Sequence, residues 1–291
     1  LFELIKNQSK DYISQNTRYL ILPEGYFDSG LGIDLNSINN SKLKSRIDKF
    51  LNQYKNLNIV VGAQSYKIYP ESKNPPTNTS NRISDGRWVD IYNSAFQFSN
   101  GNESQFYHKS KLVVGVEFMP YKELLEPIIG ELLLDFGGTI ATRGIQNYRT
   151  NFNSKDNIIV APIICYESIY GSFVTEYVRN GAQLLVIISN DAWWGDTEGH
   201  RQLLSYSKLR AIENRRAVAR SANTGISSFI DKNGKIIEKI EYNRNGVLVQ
   251  NIGLENKITF YAKYGDYIAR IALLMFILNI LFLFKNFLIK K

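Results

Sequence analysis

The sequence predicts a layered α/β fold: two sheets packed face to face with helices outside, or alternatively one doubly wound sheet, ending in an apolar helix of membrane length. Three observations carry this. Arg18 to Pro23 (RYLILP), Ile158 to Ile164 (IIVAPII) and Leu184 to Ser189 (LLVIIS) are near-continuous apolar runs, the pattern of strands covered on both faces. Val89 to Phe98 (VDIYNSAFQF) alternates instead, so at least one strand has unlike faces. Tyr267 to Phe284 is interrupted only by Arg270 and Asn279.

Along the chain, Leu1 to Asn16 reads as a helix running straight into the first strand, and the absence of a start region predicts the C-terminal part of something longer. The strand from Arg18 delivers Glu24. Ser41 to Lys55 has an amphipathic helical period, and Asn58 to Tyr66 is a second strand. Glu71 to Gly86, rich in Pro, Asn and Ser, reads as a surface loop before the alternating strand. Phe118 to Phe136 is unusually apolar for a connection and is expected either to dip into a membrane interface as a lid or to pack as a helix. The strand from Ile158 delivers Cys165, and Gly171 to Asn180 reads as a helix. The strand from Leu184 delivers Asn190 to Asp196, and Gly199 to Ala217 is a longer helix. Gly225 to Asp231 and Ile236 to Glu241 flank Lys232-Asn233-Gly234-Lys235, a hairpin whose Asn-Gly pair suits a type I′ turn. The terminal run spans roughly 27 Å at about 1.5 Å per residue, close to a bilayer core of about 30 Å. Lys285, Lys290 and Lys291 after it predict a cytoplasmic C-terminus.

Composition removes several function classes. The 291 residues contain one cysteine, so no internal disulfide forms. Two histidines, His108 and His200, leave little room for a His-rich metal site or a Ser-His-Asp relay. No metal or cofactor is expected, since neither GxGxxG nor GxxxxGK[ST] occurs. The net charge of +8 is scattered, without a basic stripe interleaved with aromatics, so nucleic acid is not the expected partner. A compositional bias visible in the many Asn, Ile and Lys explains part of that charge, and an anionic membrane surface is the alternative.

Three strand ends that each present polar chemistry point to one pocket. A lone cysteine is more often a small buried hydrophobe than a nucleophile. At a strand-to-helix elbow, however, the sulfur is expected to be exposed, with helix amides and a nearby cation favouring the thiolate. With no histidine well placed, Glu24 is the natural base, a partly desolvated carboxylate able to take and return a proton. Lys109, just after the alternating strand, is the candidate cation for a developing oxyanion.

Glu24 in LPEG, Lys109 in YHKSKLV and Cys165 in ICYES, in that order, resemble the Glu-Lys-Cys triad of the nitrilase (carbon-nitrogen hydrolase) superfamily. Tyr107 to Pro120 (YHKSKLVVGVEFMP), Tyr92-Asn93-Ser94, SNDAWWGD at Ser189 to Asp196, Arg220 to Gly225 (RSANTG) and Phe260 to Asp266 (FYAKYGD) are similar to motifs of its apolipoprotein N-acyltransferase family. Val114-Gly115-Val116 departs from that family's usual P-F-G. The resemblance implies a nitrilase-like α-β-β-α sandwich over residues 1–255, its first strand and membrane helices lying upstream. A junction at 256–266 and a transmembrane helix at 267–288 with a basic tail follow.

It further implies an acyl transfer. A membrane phospholipid donates a fatty acyl chain to Cys165, and the α-amino group of an apolipoprotein's diacylglyceryl-cysteine accepts it. Glu117 and Glu167 are then expected to orient Lys109 and hold the geometry, with Asn93 and Tyr166 in support and Trp193, Trp194 and Asn190 at the substrate pocket. A monomer in the bacterial inner membrane, its catalytic domain periplasmic, is implied. The rivals are a tethered amidase that hydrolyses small amides and a catalytically inactive scaffold.

Overall fold

The structure, a computed structural model, describes residues 7–27, 30, 32–114, 116–118 and 143–289. Two six-stranded sheets stack face to face, each carrying helices on its outer side. This is the expected α-β-β-α sandwich, not a single doubly wound sheet. Residues 7–9 are helical, and the chain then turns, so the helix expected to reach Asn16 stops short.

The first sheet comprises β1 (Tyr19–Ile21), β2 (Ile33–Asp34), β3 (Asn58–Tyr69), β4 (Asn81–Arg82), β5 (Trp88–Ser99) and β6 (Gln105–His108). β1 and β2 run parallel to β3, while β5 is antiparallel to β3, β4 and β6. β4 falls inside the expected surface loop, where it pairs two residues with the start of β5. Period-two alternation sorts the faces. Ile59, Val61, Ala63, Phe96 and Phe98 pack outward against Ile47, Phe50 and Leu51 of α1 (Lys42–Leu51). Val60 and Ala95 point inward to the second sheet. α1 begins where Ser41 Oγ accepts the Lys44 N–H at 3.0 Å, a cap worth about 1 kcal/mol.

The second sheet runs β12 (Ile236–Ile240), β11 (Ser227–Ile230), β10 (Val218–Asn223), β9 (Leu184–Asn190), β8 (Ile159–Ile164), β7 (Phe152–Asn153). β8, β9 and β10 are parallel and buried on both faces, between the first sheet and the outer helices α2 (Gly171–Arg179) and α3 (Glu198–Asn214). That double burial is why their sequences read as unbroken apolar runs. Pro162 sits in β8 beyond the two residues that β7 pairs, so its missing N–H leaves no gap in that ladder.

The β11–β12 hairpin is present, but its turn is not type I′. That turn needs positive φ at both central residues, and of Asn233 and Gly234 only Gly234 has one, +84°. Asp231 O accepts the Gly234 N–H at 3.0 Å and Asp231 N donates to Lys235 O at 2.9 Å. The result is a three-residue loop closed by a left-handed glycine.

After β12 an irregular strap leads to α4 (Phe260–Tyr264) and α5 (Tyr267–Ile289). The strap is tied down by arginines: Arg216 Nη1 donates to Lys257 O at 2.8 Å and Arg179 Nη1 to Ala262 O at 3.1 Å. Thr259 Oγ1 adds a bond to Glu213 O at 2.6 Å. Asp266 Oδ1 accepts the Ala269 N–H and starts α5. Within α5, Tyr267–Asn286 is long and apolar enough to cross a membrane, and none of it is buried. Asn279 closes its own polar valence by donating to Met275 O at 2.8 Å. The apolar connection from Phe118 to Phe136, including Pro120, lies outside the described residues apart from Phe118, as do Lys290 and Lys291.

Candidate active site

The carboxyl ends of β1, β8 and β9 converge, as ligand sites in layered α/β folds do. Glu24 follows β1. One oxygen, Oε2, accepts the Asn190 N–H at 2.8 Å from the end of β9. The other, Oε1, receives Asn93 Nδ2 at 2.7 Å and Lys109 Nζ at 3.2 Å. Asn93 projects from the inner face of β5, and its amide also donates to Glu117 Oε1 at 2.7 Å. Lys109 directly follows β6, held by its own N–H on Asn93 O at 2.8 Å. Its ammonium lies 2.9 Å from Glu117 Oε2. Asn93 is therefore the crosspiece between the two carboxylates that flank one buried lysine.

The electrostatics follow from that arrangement. Lys109 is 1% exposed. Burial by itself would depress its pKa, but Glu24 and Glu117 outweigh burial and hold it above the ordinary lysine value. Lys109 is a permanent cation here, unsuited to giving up its proton. Burial pulls Glu117 the other way, and Lys109 together with Asn93 brings its pKa below the usual carboxylate value. Removing one partner from such a buried set costs about 3–5 kcal/mol, because it strands a charge.

Cys165 ends β8 and opens a one-turn 3-10 helix, Cys165–Ile169, with a left-handed φ of +49°. A non-glycine residue there carries strain of roughly 1–3 kcal/mol, which the packed strand and helix around it must offset. Two expectations about the thiol fail. The sulfur-bearing residue is buried rather than exposed. Burial pushes the thiol up to about 12, Glu24 adds to the push, and Lys109 opposes it without winning. The single short turn supplies too little dipole to reverse the loss of solvent. Burial and the neighbouring Glu24 thus both favour the neutral thiol over the thiolate.

Glu167, two residues on, does not bond to Lys109. Its Oε1 accepts Tyr107 Oη and the Ser110 N–H, both at 2.6 Å, and its Oε2 accepts the Ile164 N–H at 2.9 Å. It ties the backbone just after Lys109 to the backbone just before Cys165. Burial raises its pKa to about 7 despite those donors. Tyr166 is half-buried, edge-on to Tyr170 with ring centroids 5.5 Å apart. Trp193 and Trp194, in the turn after β9, are 55% and 42% exposed, so neither lines a closed pocket. His108 stacks on Tyr92 at 4.0 Å and bonds Ser94, on the outer face of the first sheet. His200 is buried against Tyr242. Among the described residues no cluster of His, Cys, Asp and Glu suits a metal.

Sequence reasoning passed over a fully buried ion pair behind the cysteine. Arg220 Nη2 donates to Asp191 Oδ2 at 2.6 Å, and Ser189 Oγ donates to Asp191 Oδ1 at 2.5 Å. A Cβ on Gly225 would stand 2.0 Å from Asp191 Oδ2. The signal was present: SNDAWWGD places a charge just past the end of an apolar strand and RSANTG places one inside a strand, and burial of either demands a partner.

The carbon-nitrogen hydrolase family model matches residues 4–259. Curated apolipoprotein N-acyltransferases are similar to the chain. That of Chlorobaculum tepidum is 37% identical over 176 residues, covering 60% of this chain and 33% of that protein. Those of Geobacter metallireducens and Shewanella oneidensis are 35% and 32% identical, covering 64% and 61% of this chain and 34% and 36% of theirs. The chain thus spans about a third of the length of these relatives. Among solved structures, Saccharomyces cerevisiae Nit3 of the nitrilase superfamily aligns with a TM-score of 0.54 at 15% identity, covering 84% of this chain and 79% of that one. A variant of the amidase of Nesterenkonia sp. AN1 aligns with a TM-score of 0.51 at 15% identity, covering 83% and 80%. These two share the fold.

Proposed function

This chain belongs to the carbon-nitrogen hydrolase family, and from that premise we propose that it moves a fatty acyl chain from a membrane phospholipid, through a thioester on Cys165, to the α-amino group of an N-terminal diacylglyceryl-cysteine on an apolipoprotein. One juxtaposition carries the reading. The domain that holds a buried thiol, carboxylate and ammonium together is followed, directly after a segment that its arginines clamp at Lys257 and Ala262, by a 20-residue apolar stretch with nothing buried. A hydrolase of small soluble amides does not need such a helix, whereas an enzyme that takes its acyl group from a bilayer lipid does. The names of the similar curated proteins agree.

In this reading Glu24 takes the Sγ proton as the sulfur attacks the ester carbonyl, which spares the site a resting thiolate. The tetrahedral oxyanion meets the Lys109 ammonium, whose charge the two carboxylates preserve. Collapse breaks the ester bond, and Glu24 returns the proton to the departing lysophospholipid oxygen. The acceptor amine, with an α-amino pKa of about 7.7–8.0, has a usable neutral fraction near pH 7. It attacks the thioester, Glu24 takes its proton, and the thiol is restored as the amide forms. Asn93 and Glu117 keep Glu24 and Lys109 in register, and Trp193 and Trp194 border the acyl path. α5 spans the inner membrane with the basic tail cytoplasmic and the catalytic domain periplasmic.

The test uses the full-length protein in phospholipid nanodiscs. Intact mass is expected to show an acyl adduct, absent in Cys165→Ala, that chases onto a synthetic diacylglyceryl lipopeptide. No adduct would sink the acyl-enzyme reading. Release of free acid without transfer, or ammonia from small amides, would make the chain an amidase.

A further inference from the structure

The ion pair behind the cysteine reaches the sulfur through one hydroxyl. β8 and β9 run parallel with Ile164 opposite Ile188, so Cys165 and Ser189 come next, side by side at the strand ends. Ser189 is fully buried beside the thiol, and a hydrogen bond donated by its hydroxyl to the sulfur would favour the thiolate against the push of burial. A serine hydroxyl has one proton. Asp191 is paired with Arg220 at 2.6 Å and acts as acceptor, so the proton in the 2.5 Å Ser189–Asp191 contact belongs to the serine. Toward Cys165 the hydroxyl then offers only lone pairs, which suit S–H and not a thiolate. Arg220 is itself fixed, its Nε on Ile226 O at 3.1 Å, and Gly225 clears the space for the carboxylate.

We propose that Ser189 is a positioning residue for Cys165: its hydroxyl is turned to Asp191 at rest and swings to the sulfur when Glu24 takes the thiol proton. In that step S–H breaks, the proton passes to a Glu24 oxygen, the O–H···Oδ1 bond to Asp191 opens, and an O–H···S⁻ bond forms. No electrons leave the site. The arrangement holds a donor ready for the thiolate at no cost to the resting thiol. The charged groups facing the thiol are Glu24, Lys109 and Asp191, backed by Glu117 on Lys109 and Arg220 on Asp191. The proposal rests on Cys165 being the reactive thiol.

Cys165 is the only cysteine of these 291 residues, and iodoacetamide alkylation of the full-length protein from pH 6 to pH 10, followed by mass analysis of the peptide that carries Cys165, reads this thiol by itself. It also reads it whether or not acyl transfer occurs, so a failed transfer assay leaves the test intact. Asp191→Asn frees the hydroxyl for the sulfur and is expected to speed alkylation at pH 7 about tenfold, one unit of apparent pKa. In a Ser189→Ala background most of that acceleration should vanish. Ser189→Ala alone, which strands no charge, should alkylate more slowly than the parent, and Ser189→Thr should restore the parent profile. Equal acceleration by Asp191→Asn with and without the hydroxyl would overturn the proposal. So would a Ser189→Ala profile identical to the parent.

Discussion

Cys165 illustrates how far a residue's chemistry depends on what surrounds it. Thiolate attack needs a deprotonated sulfur, yet burial and Glu24 keep this one protonated. Alkylation of the parent protein is therefore expected to be slow at pH 7 and to rise about tenfold per pH unit up to at least pH 10, since the thiolate fraction does; a plateau near pH 8 would contradict the burial argument. Glu167 sets a second expectation at this scale. Its pKa is raised to about 7 from 4.5, so between those values the folded protein binds the proton that the unfolded chain releases. The stabilising contribution is complete below about pH 4.5 and is lost as pH rises through about 7. Glu167→Gln should flatten the fall of Tm with pH across that window. Glu24, Lys109 and Cys165 were legible as candidates because each follows an apolar or alternating run. The roles of Asn93 as crosspiece and Glu167 as a tie between two loops were not, because their partners lie 24 to 69 residues away.

At the scale of elements, strands were legible because burial on both faces writes itself as unbroken apolar sequence, as in β8 and β9. Ends were less so. β3 runs to Tyr69 because β5 pairs with it along its whole length, beyond the point where its own apolar run stops. The Asn-Gly hairpin shows the same limit: the pair marks a turn, but Asp231's bonds to Gly234 and Lys235 choose its type. Removing the α1 cap with Ser41→Ala should cost about 1 kcal/mol in chemical denaturation, without altering the alkylation profile of Cys165. Gly225→Ala places a methyl against Asp191 Oδ2 on the neighbouring strand end. Overpacking of that kind costs about 1–3 kcal/mol. Here the loss of stability should come with a changed alkylation profile, which separates it from an ordinary core defect.

For the whole molecule, the decisive feature is the joint between the sandwich and α5. The strap and α4 are bonded to α2, α3 and the segment after α3 through Arg179, Glu213 and Arg216, so the chain is anchored to the domain up to Ala262, five residues before the exposed apolar helix begins. Within these 291 residues alone, ending the chain before Tyr267 should leave a folded domain whose Cys165 alkylates as with α5 present, while flotation with phospholipid vesicles and turnover of bilayer-embedded lipid both fall sharply. Retained vesicle turnover would remove α5 from the reading of the site as lipid-facing.

By itself the sequence determined the layered α/β class, the strands that carry Glu24, Cys165 and Asn190 to one end, the membrane-length tail, and the exclusion of a disulfide within these 291 residues. Those properties are local: they follow from periodicity, run length and residue count. Only the tertiary structure decided that Asn93 joins Glu24 to Glu117, that Asp191 pairs with Arg220, and that the thiol rests protonated. Proton affinities and buried hydrogen bonds are set by neighbours in space, and strands that lie side by side bring together residues that the chain keeps far apart.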